Sequence, residues 1–332
     1  MSDCQVYQLP AQSLARLRLL PRLALQPHTG MRTLFIWKCY VVSTMPNDHL
    51  NHPSLTKSPT FWIILANVGI YLLMVARGVD PITPLPRDLI AWGGNLGPYT
   101  LTGEWPRLLS SMFLHGGALH LGLNMFMLYQ IGRVSEAAWG RMRFLLIYMV
   151  TGLFGGFASA AWYSHEVVQS LATTPLQLML GYGPAMIVSV GASGALLGAA
   201  GALLVHALRS GQNAMVDLSA IVQVVLLNIG MGFLINGTDN AAHVGGALAG
   251  IAIGAVFMLM REHRSMTRLN LQSLVVAGLF LVGLSALVRT TVPQQLDTVA
   301  AGMRKAAVLA ERREALREQR RQSGAAFRQH KE

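Results

Sequence analysis

The sequence predicts an all-α membrane protein that crosses the bilayer several times. Its 332 residues are 52% hydrophobic and 12% charged, whereas soluble domains carry about 25% charged residues. The mean hydropathy is +0.43. Between residues 59 and 288 the apolar residues form runs of about 17–21 residues, and each run is long enough to cross a hydrocarbon core of about 30 Å. This pattern argues against a single water-soluble globule.

Seven of these runs are candidate transmembrane helices. They cover residues 59–76, 116–132, 144–162, 190–208, 218–235, 240–260 and 270–288. The connection 77–115 contains five prolines and several large apolar residues, which predicts a structured loop packed against the membrane domain. The connection 163–189 carries no Lys or Arg, and we predict an extracytoplasmic loop broken by Gly and Pro.

The basic residues predict the orientation of the spans. Arginines follow the second, fourth and sixth spans, so the N-terminus is expected in the cytoplasm. An odd number of spans then leaves the C-terminal tail outside. The charge of residues 289–332, with ten basic and five acidic side chains, opposes this placement. Within that tail, residues 296–321 repeat apolar side chains every three or four positions, which predicts a helix.

The chain therefore divides into four segments. Residues 1–58 form a basic tail, 59–260 a six-span domain, 261–288 a linker with the seventh span, and 289–332 a basic, helical tail. The first tail is expected in the cytoplasm, although residues 13–25 weakly resemble a transit peptide and Met31 or Met45 offers a later start. Both cysteines lie in this tail, so the core holds no disulfide framework.

The excess of basic residues lies in the two tails. The formal net charge is +11, and residues 1–58 contribute six basic and two acidic side chains. Because the tails flank a membrane domain, contact with anionic lipid headgroups explains this charge better than binding of nucleic acid.

Polar side chains inside three spans indicate a reaction site. His120 and Asn124 lie on the second span, Ser193 begins the fourth, and His243 lies near the start of the sixth. Polar and ionisable groups are costly inside a bilayer and by default indicate function. Because His120 and Asn124 are four residues apart, they share one helix face.

Small residues favour close packing of the fourth and sixth spans. Each span carries glycines at helical spacing on one face, and such faces let two backbones approach closely. These residues are Gly194, Gly198 and Gly201 on the fourth span and Gly246, Gly250 and Gly254 on the sixth. Contact between the two faces would bring Ser193 and His243 to the same membrane depth.

Such a group of residues suits acyl transfer. A serine hydroxyl becomes a good nucleophile when an imidazole takes its proton, and His243 is the candidate base. The N–H of Ser193 at a helix start, together with His120 and Asn124, would surround an oxyanion. Since the spans hold no Asp or Glu that could orient His243, a dyad is expected.

Three segments of the sequence resemble the rhomboid intramembrane serine proteases. They read EWPRLLSSMFLHGGALHLGLNMF, GASG and AHVGGALAG, and they occur in the family's order. The resemblance covers residues 59–260 and implies a rhomboid-like six-helix catalytic core, followed here by a seventh transmembrane helix. It implies Ser193 as nucleophile, His243 as base, and His120 with Asn124 as the oxyanion hole.

The resemblance also implies supporting residues. Arg107 matches the arginine of the first loop and His115 a structural histidine, and the glycines expected to support the site are Gly191, Gly194, Gly246 and Gly250. The sequence departs from the family at two positions. Pro106, preceded by Trp105, stands where a tryptophan is usual, and Leu197 stands where an aromatic residue often stacks on the histidine.

The predicted function is serine endopeptidase activity, through a Ser–His dyad, on peptide bonds in or next to the transmembrane segments of membrane proteins. No metal and no organic cofactor is expected, and the partners are protein substrates and the bilayer. The oligomeric state is left open. A bacterial cytoplasmic membrane is the expected location, with the site open to the extracytoplasmic side.

Other functional classes are less consistent with the sequence. One is an inactive rhomboid-like protein that binds membrane clients. A membrane aspartyl protease would need two intramembrane Asp, and only Asp239, in a short loop, comes close. A zinc protease is disfavoured because His115 and His120 do not share a helix face and no HExxH motif occurs. A transporter is disfavoured because the sequence shows neither mid-membrane charges nor a symmetric repeat.

Overall fold

The computed structural model describes residues 55–173, 187–210, 218–234, 238–260, 266–291 and 295–329. The helices are α1 (Pro59–Ala76), α2 (Pro86–Ala91), α3 (Gly97–Leu101), α4 (Arg107–Ser110), α5 (Ala118–Trp139), α6 (Arg141–Thr173), α7 (Ser193–Ser210), α8 (Leu218–Leu234), α9 (Asn240–Leu259), α10 (Met266–Thr291) and α11 (Gln295–Gln329). The predicted all-α polytopic fold is confirmed. The predictions for residues 1–54, including both cysteines, lie outside the described residues, as do those for 174–186 and for the linker residues 261–265.

Each predicted span coincides with a helix, but the prediction of a loop from residue 163 is wrong at its start. The helix α6 continues to Thr173. This stretch contains no Gly or Pro, and side chains four residues apart pair along it. Trp162 donates to Glu166 at 2.8 Å, and the side chains of His165 and Gln169 lie 2.8 Å apart. Local helix-stabilising pairs therefore extend α6 beyond its apolar run.

The apolar helices identify an integral membrane protein. Among the described residues, three stretches are long and apolar enough to cross a bilayer: Pro59–Ala76, Arg141–Ser170 and Asn240–Leu259. The helix α1 exposes large apolar side chains such as Trp62 and Leu72. Exposed apolar residues of this size on a long helix are suited to contact with lipid.

The helix α7 lies in the core and packs closely against α9. Leu196 and Ala199 on α7 are wholly buried. A Cβ atom added to Gly246 would overlap the carbonyl of Gly194, and one added to Gly250 would overlap the carbonyl of Gly198. The predicted contact between the two glycine faces is therefore present, and the two backbones touch directly.

A carboxylate links α1 and α5 at the end of the bundle where α1 begins and α5 ends. Glu136, near the end of α5, accepts hydrogen bonds from the Ser58 hydroxyl at 2.6 Å and the Thr60 N–H at 2.8 Å. Because Ser58 caps the start of α1, this cluster joins α1 to α5.

The connection between α1 and α5 is a structured loop, as predicted, and we call residues 77–117 the first loop. It contains the short helices α2, α3 and α4. Arg107 donates to the carbonyls of Ile90 at 2.7 Å and Gly94 at 2.9 Å, and to the Glu104 carboxylate at 2.6 Å. One guanidinium group thus holds three parts of the loop together.

The C-terminal helix α11 docks on the first loop. The preceding helix α10 runs parallel to α6: Arg143 donates to Ser273 at 3.1 Å near their starts, and the rings of Phe154 and Phe280 lie 5.9 Å apart further along. The helix α11 therefore begins at the end of the bundle where the first loop lies.

We predict that a methyl group at Gly250 destabilises the fold. Gly250→Ala would overlap the Gly198 carbonyl and force α7 and α9 apart, which costs about 1–3 kcal/mol. The matched control is Gly278→Ala on α10, where an added Cβ meets nothing within 4 Å. Thermal unfolding in detergent should show a lower Tm for Gly250→Ala and an unchanged or slightly raised Tm for the control. Equal Tm values would contradict the direct backbone contact.

We also predict that Glu104 makes stability depend on pH. Although burial opposes the charge of this carboxylate, hydrogen bonds and positive charges from Arg107 and Arg304 outweigh burial and lower the pKa of Glu104. A lowered folded-state pKa contributes stability above the ordinary glutamate pKa of about 4.3, and this contribution disappears as the pH falls through the lowered value. Solvent screens the partly exposed group, so we expect less than about 1 kcal/mol.

The measurement is the Tm of Glu104→Gln against the natural protein from pH 7 to the acid limit of folding. The difference should be largest at neutral pH and should vanish in acid. Glu311→Gln, which removes an exposed carboxylate from α11, is the control and should show no such trend. A Tm difference for Glu104→Gln that is independent of pH would contradict the prediction.

Candidate functional site

Three helix starts meet at the predicted site. His120 lies in the first turn of α5, Ser193 begins α7, and His243 lies in the first turn of α9. The first N–H groups of a helix have no intrahelical partner, and the helix dipole is positive at this end. The backbone around the site is therefore arranged to favour negative charge.

Ser193 and His243 are joined by a hydrogen bond. His243 Nε2 lies 2.8 Å from Ser193 Oγ, and His243 is buried with 5% of its surface exposed. Within the described part of the chain, His243 Nδ1 has no hydrogen-bond partner. Ser193 and His243 therefore form a serine–imidazole pair, and among the described residues no carboxylate accepts a hydrogen bond from His243 Nδ1.

The ring of His120 has a defined tautomer. The N–H of Gly116 donates to His120 Nδ1 at 3.2 Å. Since Nδ1 accepts, a neutral ring carries its proton on Nε2 and can donate there. Nε2 faces Gly191, because a Cβ added to Gly191 would lie 3.0 Å from this atom. His120 is thus oriented as a donor beside the start of α7.

Asn124 lies one helical turn after His120 on α5. Its Nδ2 donates to the His120 carbonyl at 2.9 Å and therefore keeps a second N–H. Gly191 lies close to the same amide and adopts a φ of +119°, which L-residues rarely do. A glycine is needed here both for this backbone conformation and for room beside His120.

His115 supports the ring of His120. It is wholly buried, and the two ring centroids lie 5.2 Å apart in an edge-to-face arrangement. Helical spacing does not relate His115 to His120, because α5 begins only at Ala118 and His115 lies before it. His115 approaches His120 from the first loop.

The structure accommodates both positions at which the sequence departs from the family pattern, Pro106 and Leu197. Pro106 precedes α4 with a φ of −57°, which suits a helix start, and Trp105 is 40% exposed. Arg107 still binds the loop carbonyls. Leu197 is fully buried on α7.

Sequence reasoning missed the contacts that hold the segment before Ser193. Ser189 and Asn95 exchange two backbone hydrogen bonds, of 2.9 and 3.0 Å, and Gly191 donates its N–H to the Ser111 carbonyl at 2.9 Å. Both partners belong to the first loop. Backbone pairing between distant segments leaves no signal in a single sequence.

Sequence reasoning placed Asp239 in a short loop and missed its role as a helix cap. This residue caps α9, and its carboxylate accepts from the Ala242 N–H at 2.9 Å. The signal was available, because an Asp one residue before a helix is a common N-cap. The cap fixes the first turn of α9, where His243 lies.

Comparison with known proteins supports the family resemblance. The rhomboid domain family matches residues 102–260. The chain is 30% identical over 215 residues to rhomboid protease AarA of Providencia stuartii, a match that covers 60% of this chain and 73% of that protein. It is 30% identical over 201 residues to rhomboid protease GluP of Bacillus subtilis, covering 60% of this chain and 35% of that protein.

A plant protein is also similar. The chain is 36% identical over 164 residues to RHOMBOID-like protein 5 of Arabidopsis thaliana, covering 48% of this chain and 47% of that protein. The chain thus spans a third to a half of two of these relatives and about three quarters of the first. With three ordered motifs, an all-helical membrane fold and this level of identity, the chain belongs to the rhomboid family.

Proposed function

We propose that the protein is an intramembrane serine endopeptidase with Ser193 as nucleophile and His243 as general base. The observation that carries the proposal is the 2.8 Å contact between Ser193 Oγ and His243 Nε2 at the meeting point of three helix starts. Two relatives, AarA and GluP, are named rhomboid proteases. Their names support the same reaction class for this chain.

The reaction begins with attack of Ser193 Oγ on the peptide carbonyl carbon. His243 Nε2 takes the hydroxyl proton as the C–O bond forms, and the carbonyl oxygen becomes an oxyanion. The Ser193 N–H, His120 Nε2–H and the second N–H of Asn124 are the available donors for this oxyanion. Donors fixed before the reaction lower the barrier because they need no reorganisation when the charge develops.

Collapse of the tetrahedral intermediate breaks the C–N bond. His243 gives its proton to the leaving amine. The other half of the substrate remains bound to Ser193 Oγ as an ester. A water then attacks the ester carbonyl while His243 takes one of its protons. The second intermediate releases the carboxylic acid, and the proton returns to Ser193 Oγ.

The substrates proposed are transmembrane segments of other membrane proteins. Ser193 and His120 are half-buried, whereas Asn124 and His243 are buried, so the approach to the site is from the exposed side of Ser193. A peptide bond must be accessible to Ser193 Oγ, and a regular helix shields its own carbonyls with its hydrogen bonds. Local unwinding of the substrate is required, which favours small or helix-breaking residues near the cut.

We propose a bacterial cytoplasmic membrane as the location, with the site open to the extracytoplasmic side. The bacterial relatives AarA and GluP and the arginine-rich loops at the other end of the helices support this placement. The relative from Arabidopsis thaliana, a plant, does not bear on a bacterial location. Accessibility labelling of single cysteines in intact bacteria tests the orientation.

We predict that Ser193→Ala and His243→Ala each abolish cleavage. Removal of the nucleophile or of its base should lower the rate by at least about a thousandfold. The measurement is cleavage of a model transmembrane substrate by purified protein in liposomes. Fluorophosphonate labelling is the second readout, since it requires an activated serine but no peptide substrate.

The matched controls are Ser159→Ala, a buried serine on α6, and His165→Ala at the exposed end of α6. Both should keep the natural rate. If the folded natural protein neither cleaves nor labels across several substrates and lipids, the proposal is wrong. The inactive, client-binding alternative is then tested by capture of intact membrane proteins.

We predict that the oxyanion donors are needed for turnover more than for binding. His120→Ala should lower kcat by about 10²–10³ and leave KM within a small factor. Gly191→Ala should act similarly, because its Cβ would press on the His120 ring. Gly122→Ala, on the same helix with nothing near its Cβ, is the control. A rise in KM at unchanged kcat would show that His120 acts only in substrate binding.

A further inference from the structure

We infer that α11 is an intramolecular strap that holds the first loop, and that Arg304 is its positioning residue. The inference rests on the proposed function, because the loop that α11 holds supports the same reaction site. Four sets of contacts carry it: the apolar docking of α11, the contacts of Arg304, the carboxylate that Arg304 shares with Arg107, and the backbone pairing before Ser193.

One face of the first turns of α11 is fully buried. Leu296 and Ala300, four residues apart, have no exposed surface. Leu296 belongs to an apolar cluster with Leu101 of the first loop and Phe157 of α6, and Ala300 packs with Tyr99. Apolar burial of this kind holds the start of α11 against the loop.

Arg304 continues the same face by one more turn. Its guanidinium donates to Glu104 Oε1 at 3.0 and 3.2 Å and to the Thr102 hydroxyl at 3.2 Å. It also lies 4.9 Å from the centre of the Tyr99 ring, in cation–π geometry. Further along α11, Val308, Leu309 and Leu316 are exposed. Among the residues of α11 whose side chains the structure describes, the contact with the first loop lies in the first turns.

The two arginines share one carboxylate. Arg304 binds Glu104 Oε1, while Arg107 binds Glu104 Oε2 at 2.6 Å. Arg107 in turn donates to the Gly94 carbonyl. The strap is thus connected to the arginine that holds the loop carbonyls in place.

The loop positions the segment that precedes Ser193. Asn95, the residue after Gly94, exchanges two backbone hydrogen bonds with Ser189, and Ser111 accepts the Gly191 N–H. A displaced loop would shift Gly191 relative to His120. Since catalysis is sensitive to small misplacements of donor groups, release of the strap should lower turnover.

The experiment combines hydrogen exchange with kinetics on the full-length protein in detergent. Arg304→Ala should accelerate amide exchange both in peptides covering 95–111 and in peptides covering 296–304. It should lower kcat about tenfold with KM within about twofold. Arg304→Lys retains the charge opposite Glu104 and should recover part of kcat. The matched control Lys305→Ala removes an adjacent, exposed charge and should change neither readout.

The two readouts separate the inference from the proposed function. Unchanged exchange in the loop peptides of Arg304→Ala would overturn the strap, whatever the kinetics. Faster exchange with an unchanged kcat would show a docked helix that does not position the site, and this also overturns it. If the natural protein does not cleave, the proposed function fails, while exchange still decides whether Arg304 holds α11 on the loop.

Discussion

Two backbones meet without side chains between them where α7 and α9 cross, because glycines of one helix face glycines of the other. The contact begins at Gly194 and Gly246, one residue beyond Ser193 and three beyond His243. A larger residue at Gly246 would separate the helices, and a hydrogen bond of 2.8 Å tolerates little separation. The remaining parts of the site, including the loop contacts and the helix caps, refine a geometry that this contact makes possible.

The positive ends of the helices at the site have opposite effects on the two charged groups of the proposed reaction, the oxyanion and the protonated His243. In the proposed reaction, the three helix starts would stabilise the oxyanion but oppose an imidazolium on His243. The two charges form together and lie close to each other, so their attraction offsets part of this cost. Asp239, which caps α9 one turn before His243, places a negative charge near the ring. The proposed serine–histidine dyad therefore does not require a carboxylate bound to His243 Nδ1.

The features that the sequence predicted involve residues close together in the chain, and most of those that it missed involve residues far apart in the chain. Helices and candidate residues follow from local periodicity, and the glycine faces of α7 and α9 are visible as fixed spacings within each helix. The salt bridge between Glu104 and Arg107 was accessible at a spacing of three residues. The one between Glu104 and Arg304 spans 200 positions, and no pattern within one sequence marks it. The extension of α6 was missed because apolar periodicity ends where polar pairs continue the helix.

The elements outside the matched family domain act on the site from its periphery. The match starts at residue 102 and ends at 260, so it omits α1, much of the first loop, α10 and α11. The helix α1 is tied to the end of α5 through Glu136, at the opposite end from Ser193. The helix α11 instead contacts the loop that pairs with Ser189. Changes at the start of α1, beside Glu136, therefore affect mainly stability, whereas changes in α11 reach the donors around Ser193.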